Sequence, residues 1–216
     1  MRIKEISLAT ADLGKVEAFY SEVLQLPLVH REPGRLSFAV GYSVIHFTNE
    51  KAPAGIYHFA FLIPPQLLEP SYQWIKSRIP VLPFSEQSDI ADFTNWNARA
   101  FYFHDEEQNI LEFIAHYDME QGSESAFEPH NIIGVGEIGI GVEDVTLACN
   151  KLHTIYNIPY YHKGPFLPSF AVMGEEEGLL IISAIGRGWL PTGQLAANSS
   201  VHIILDMHGE LINIDC

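Results

Sequence analysis

Cysteine is scarce in this chain of 216 residues: Cys149 lies in a helix-like stretch and Cys216 at the last position. Neither has the Cys or His neighbours of a thiolate metal site, so the two read as a buried helix thiol and a terminal residue. Basic residues are also few, 12 Lys and Arg against 27 Asp and Glu, giving a formal net charge of -15. A surface of that sign repels phosphate backbones and anionic membranes, which argues against nucleic acid and membrane partners and against polyanionic substrates. No apolar run approaches the roughly 20 residues that span a bilayer. The opening MRIKEISLATAD alternates polar and apolar residues where a signal peptide would carry an apolar core, so a cytoplasmic protein is expected. There is no phosphate-binding glycine loop and no Ser-His-Asp order. The acidic turn Asp105-Glu106-Glu107 lacks the alternating ligands of a calcium loop and reads as a solvated hairpin.

What the sequence does contain is 47% hydrophobic residues arranged in a diverged internal repeat. Ile3 to Thr10 alternates like a strand, Asp12 is a good helix cap, and Leu13, Val16, Phe19, Tyr20 and Val23 recur at helical spacing. Strands follow at 28–30, 36–40 and 42–48, separated by Pro33-Gly34 and Gly41. The order returns with a strand at 56–63, a helix opened by Pro64-Pro65, and strands to Ala115. It returns again with a strand at 135–142, the cap Asp144, the stripe Val145, Ala148, Leu152 and Ile155, and two further strands. The tail 199–215 reads as a hairpin turning at His208-Gly209, a fourth unit without its helix.

The polar stretch Glu120 to His130 is the natural linker. The expected architecture is α+β, built of repeated βαβββ modules whose sheets curl in pairs around a shared cleft. Residues 1–119 would hold modules one and two, paired with each other, and residues 131–216 the third module paired with the degenerate tail. Whether paired modules assemble within one chain or across a homodimer is open at this stage.

Two words in the sequence resemble the vicinal oxygen chelate superfamily, which includes glyoxalase I, extradiol dioxygenases and bleomycin-binding proteins. ISLATADLGKVEAFYSEVLQLPL is similar to that family's opening strand and helix. AFYFHDEEQNILEFIA is similar to its closing hairpin, where an acidic turn ending in Asn leads to a strand bearing a metal-binding Glu. The resemblance implies one ligand on the first and one on the last strand of each module. Seven positions before Asp12 stands Glu5, and seven before Pro65 stands His58; on the closing strands the corresponding residues are His46 and Glu112. The first module thus reverses the order of the second, while the sum remains two imidazoles and two carboxylates.

Strand neighbours on the same face as these four are small or apolar, and a carboxylate in such company is costly to bury unless paired or bound to an ion. Glu5, His46, His58 and Glu112 therefore form the expected metal set. A three-ligand site lacking Glu5 or His46, and a metal-free protein in which those two form an internal hydrogen-bonded pair, remain alternatives. Two His and two carboxylates suit Zn, Ni, Co, Mn or Fe(II). In the third module the opening position is Glu137 but the closing one is Ile181, so that module reads as structural, with Glu137 solvated or paired on an edge or interface strand. The segment Gly186-Arg187-Gly188-Trp189-Leu190-Pro191 reads as a turn whose Arg either packs or receives a substrate carboxylate.

The resemblance implies an enzyme in which the metal binds two adjacent oxygens of a small-molecule substrate and stabilises an enolate or oxyanion. In a lyase of glyoxalase type Glu5 or Glu112 acts as general base. In the dioxygenase version His46, His58 and Glu112 hold Fe(II). The other class is a binding protein that sequesters an antibiotic-like compound without chemistry. Phe38, Tyr42, Trp96, Phe101 and Phe103 are the expected substrate-binding residues in either case.

Overall fold

A computed structural model describes residues 1–50, 55–120 and 122–216; Gln121, within the expected linker, lies outside them. The first module comprises β1 (Arg2–Thr10), α1 (Leu13–Glu17, continued by a π-helical turn over Ala18–Val23), β2 (Leu28–Glu32), β3 (Arg35–Val40) and β4 (Ser43–Asn49). Asp12 caps α1 as its sequence position predicts, its carboxylate accepting from the backbone N–H of Gly14 at 2.9 Å and Lys15 at 3.2 Å. The second module runs β5 (His58–Leu62), α2 (Leu68–Lys76), β6 (Val81–Leu82), β7 (Ile90–Phe93), β8 (Ala98–His104) and β9 (Ile110–His116). Pro65 opens a 3-10 turn that leads into α2, where a locked φ and a missing N–H carry no penalty.

The third module is β10 (Gly134–Val142), α3 (Val145–Tyr156), β11 (Phe166–Leu167), β12 (Phe170–Glu175) and β13 (Gly178–Ala184). Its helix is capped by Asp144 and buries Val145, Cys149 and Leu152. The tail is the expected hairpin, β14 (His202–Met207) and β15 (Glu210–Asp215), turning through His208 and Gly209 with φ of 57° and 100°. Among the described residues no helix is long and apolar enough to cross a membrane.

In each full module the closing strand returns parallel beside the opening one, so that Ser7 pairs with His46, Ala60 with Glu112 and Gly139 with Ile181. That leaves the second edge of every opening strand to be satisfied from elsewhere, because buried backbone groups must be bonded. Here the pairing differs from expectation. β5 runs antiparallel to β10 of the third module, and β1 runs antiparallel to β14 of the tail, meeting β10 only at Ile3 and Val135. Module two thus pairs with module three, and module one with the tail hairpin. The hairpin has no helix of its own, and it supplies the missing edge to β1.

The helices lie against one face of the sheet, over a core of Phe59, Phe61, Phe101, Phe103 and Phe113, all buried. The acidic turn is part of this framework. Asp105 is 4% exposed and accepts from the hydroxyl of Tyr20 at 3.0 Å, Asn109 Nδ2 at 2.8 Å and the N–H groups of Glu107 and Asn109. Its carboxylate ties the first module's helix to the second module's hairpin, and the solvated reading of the turn fails because four donors converge on it.

Candidate metal centre

The strand registers determine which side chains meet. Ala60 in β5 pairs with Glu112 on one side and Glu137 on the other. Residues directly opposite one another share a face of the sheet, so the two glutamates flank a methyl group in one row across three strands. The row continues to Tyr102, paired with Glu112, and to Leu179, paired with Glu137. His58 stands two residues before Ala60 and therefore projects from the same face. One ligand atom from each of His58, Glu112 and Glu137 lies within 4.8 Å of the other two, the one such grouping of His, Cys, Asp or Glu among the described residues.

All three are buried: His58 is 7% exposed, Glu112 2% and Glu137 4%. His58 Nδ1 lies 3.1 Å from the carbonyl of Ile110, which can only accept, so Nδ1 carries the proton and the Nε2 lone pair points to the carboxylates. Burial lowers its pKa to about 4, against the pull of that hydrogen bond, and the ring is neutral at pH 7. Both carboxyls are pushed up. Glu112 is raised first by burial and then by the charge of Glu137, with Tyr102 opposing, and Glu137 is raised by burial. Trp189 packs at a tilt of 48° against the His58 ring, at 5.2 Å between centroids. It fits there because position 139 is glycine; a Cβ would lie 2.9 Å from its ring.

These donors suit a divalent ion. His58 Nε2 and Glu112 Oε2 are 3.6 Å apart, too long for a hydrogen bond and close to the roughly 3.5 Å that separates two ligands of one tetrahedral ion. Glu137 Oε1 is buried without any hydrogen-bond partner. An orphaned oxygen beside a second buried carboxylate is a costly arrangement that a cation would relieve.

The trio opens into a cavity of about 460 Å³ walled by Phe93, Trp96, Tyr102, Ile114, Phe170, Ile181 and Trp189, with Lys163 and Arg187 also lining it. Of the aromatic residues expected there, only Trp96 takes part. Phe101 and Phe103 pair with Phe113 and Leu111, which puts them on the helix face of the sheet, opposite Glu112. Phe38 is fully buried in the core against Tyr20, and the Tyr42 hydroxyl donates to the carbonyl of Glu177.

The structure brings together half of the expected ligand set. His46 Nε2 lies 2.9 Å from Glu5 Oε2 and its Nδ1 lies 2.8 Å from Ser37 Oγ, so both ring nitrogens are already bonded. Burial lowers the His46 pKa, against the hydrogen bond that its Nε2–H donates to Glu5. Glu5 and His46 do not join His58 and Glu112, because β5 pairs with β10 and not with β1. The third member is Glu137, whose strand is bonded along both edges and is the interface strand of the two alternatives, joining module three to module two. Its place seven residues before Asp144 was the available signal; what concealed it was the apolar closing residue Ile181, which supplies the fourth corner of the same site.

No family model and no curated protein sequence matches the chain. Among solved structures, a candidate dioxygenase from Bacillus subtilis superposes on 100% of this chain and 84% of its own, with a TM-score of 0.64 at 16% identity. Two glyoxalase I variants from Zea mays superpose on 85% and 90% of this chain and on 68% and 70% of theirs, each with a TM-score of 0.58 at 13% identity. The likeness is one of fold: the chain has the repeated-module α+β architecture of these glyoxalase and dioxygenase structures.

Proposed function

We propose that the chain is a metal-dependent enzyme of glyoxalase or dioxygenase type, in which His58, Glu112 and Glu137 hold one divalent ion at the floor of the aromatic cavity. The observation that carries this reading is the buried, unsatisfied trio: a neutral imidazole with its lone pair inward, two carboxylates raised by burial, and one carboxylate oxygen without a partner. A divalent ion held there supplies a Lewis acid for two adjacent oxygens of a small substrate and for the negative charge that develops on them. One nitrogen and carboxylate oxygens suit Zn, Mn, Co, Ni or Fe(II).

The rest is done by the chain's own groups. The Ile110 carbonyl fixes the tautomer of His58, and Trp189 fixes its ring plane. Ile181 fills the fourth corner with an apolar side chain, so no protein ligand competes there with substrate. The aromatic walls give a flat substrate a surface to stack on. Glu112 and Glu137 are the carboxylates within reach of a substrate proton, and with Glu5 closed on His46 the general base of a lyase would be one of these two. The acidic surface and the apolar pocket fit a small-molecule substrate and a cytoplasmic setting.

Elemental analysis of the protein purified without chelator, beside a His58→Ala variant and with melting curves of both, tests the proposal. One ion per chain in the parent, its loss in the variant and a lower melting temperature are expected. An ion-free parent after incubation with Zn, Mn and Fe(II) would place the chain with metal-free binders of small apolar compounds.

A further inference from the structure

We infer that the substrate of this cavity carries a carboxylate or equivalent anionic group, and that Arg187 receives it while the flat body of the molecule lies among the aromatic walls. The inference rests on the functional reading above for the placement of the reacting oxygens at His58, Glu112 and Glu137 and for the charge of that trio when it holds an ion. The anion subsite is argued from other residues.

In a chain with 12 basic residues against 27 acidic ones, two cations line this one cavity, Lys163 and Arg187. Lys163 is committed: it bonds Asp118 and lies 3.1 Å from Glu176. Arg187 is not. Among the described residues no carboxylate lies within 4.0 Å of it, and its one hydrogen bond is a long contact of 3.4 Å from Nη1 to the carbonyl of its neighbour Gly188. Its guanidinium is held over the face of Phe170, itself a wall of the cavity, at 4.2 Å from the ring centroid. Stacking positions the charge without satisfying its in-plane donors, which leaves the planar fork free to bind a carboxylate in bidentate fashion. The half-buried setting weakens competition from water.

Charge balance gives a second reason. With a divalent ion present, the ion and two carboxylates sum to about zero, so the trio alone offers little attraction to an acid group elsewhere on the substrate. The surface charge of -15 repels anions. An acid that enters this cavity therefore needs a dedicated cation, and one is in place. The substrate class that follows is an aromatic or similarly flat acid with a pair of adjacent oxygens, small enough for a cavity of about 460 Å³.

The test uses 3,4-dihydroxybenzoate and its methyl ester, which share ring and adjacent oxygens and differ in the charge at the far end. Affinities of both are measured by titration calorimetry with the full chain as purified and with Arg187→Gln and Arg187→Lys. The parent should bind the acid about tenfold more tightly than the ester, as expected for a charge-assisted hydrogen-bonded pair. The ratio should fall to near one in Arg187→Gln and stay well above one in Arg187→Lys. Because the acid-to-ester ratio is compared between parent and variant, it does not depend on whether the trio holds an ion; metal content of the same samples reports on that separately. A parent that does not discriminate, a preference that survives in Arg187→Gln, or an equal loss of acid and ester binding in that variant would overturn the assignment, the last by showing that Arg187 only packs.

Discussion

The two halves of the molecule repeat one frame and use it differently. In the half formed by modules two and three, the row Glu112, Ala60, Glu137 crosses three strands with His58 two residues before Ala60. In the half formed by module one and the tail, the register gives the row His46, Ser7, His202, with Glu5 two residues before Ser7. The second frame carries ligand-type side chains at each corresponding place, yet they are bonded to protein: His46 to Ser37 and Glu5, His202 to Asp215 at 2.7 Å. Glu5 is also 40% exposed along its side chain, whereas Glu112 is 2% exposed. Residue types at strand positions thus do not make a metal site. A site needs burial, convergence and a polar atom left without a partner, and among the described residues only the first half has all three.

The largest expected effect that separates the halves is that of metal removal. Chelation should lower the stability of the parent by about 2.7 kcal/mol when the ion had been present at a hundredfold its dissociation constant. Glu5→Gln and His46→Ala should show the same loss on chelation, and Glu137→Gln almost none, as read from melting curves with and without chelator.

pH should sharpen the contrast next. In the chelated protein Glu112 and Glu137 have folded pKa values raised above the unfolded ones. Such groups favour the folded state fully below the unfolded value of about 4.3, and that stability is lost as pH rises through the folded values. Chelated parent should therefore weaken toward alkaline pH, by about 1 to 3 kcal/mol for the buried unsatisfied carboxylate, and Glu137→Gln should flatten this limb. His46, with its pKa lowered, acts in the opposite sense: its contribution is present above about 6.5 and is lost as pH falls. His46→Gln should reduce the acid limb and leave the alkaline one. Denaturant titrations across pH 4 to 9 would separate the two.

Of the same size or smaller is the cost of opening the second frame. His46→Ala strands the buried Ser37 hydroxyl and should cost about 1 to 3 kcal/mol without altering metal content. His202→Ala removes an exposed pair with Asp215 and should cost less than about 1 kcal/mol.

The module pattern was legible because each of its signals is local. Asp12 and Asp144 cap helices in the structure as their positions predict, and the tail turns at His208-Gly209. His58 and Glu112 were legible because they belong to one module, whose parallel opening and closing strands repeat the pattern that the sequence words resemble. Glu137 is visible in the sequence as an opening-strand residue but not as a partner of His58 and Glu112, since nothing local tells β5 to seek the edge of β10 instead of β1. The aromatic residues went astray through strand parity: Phe101 and Phe103 alternate with Tyr102, and only Tyr102 shares the face of Glu112. Lys163, Arg187 and Trp189 reach the cavity from connections outside any strand, where no periodicity reports direction.

The central claim is that the ion is held by Glu137 with His58 and Glu112, and not by Glu5 and His46. Competitive titration of zinc into the chelated parent, Glu137→Gln and Glu5→Gln, each against the same chromogenic chelator, measures this most directly. The account predicts one tight site in the parent, unchanged affinity in Glu5→Gln, and a loss of more than about a hundredfold in Glu137→Gln, beyond what a change outside the ligand shell produces. Unchanged zinc affinity in Glu137→Gln together with its loss in Glu5→Gln would contradict it.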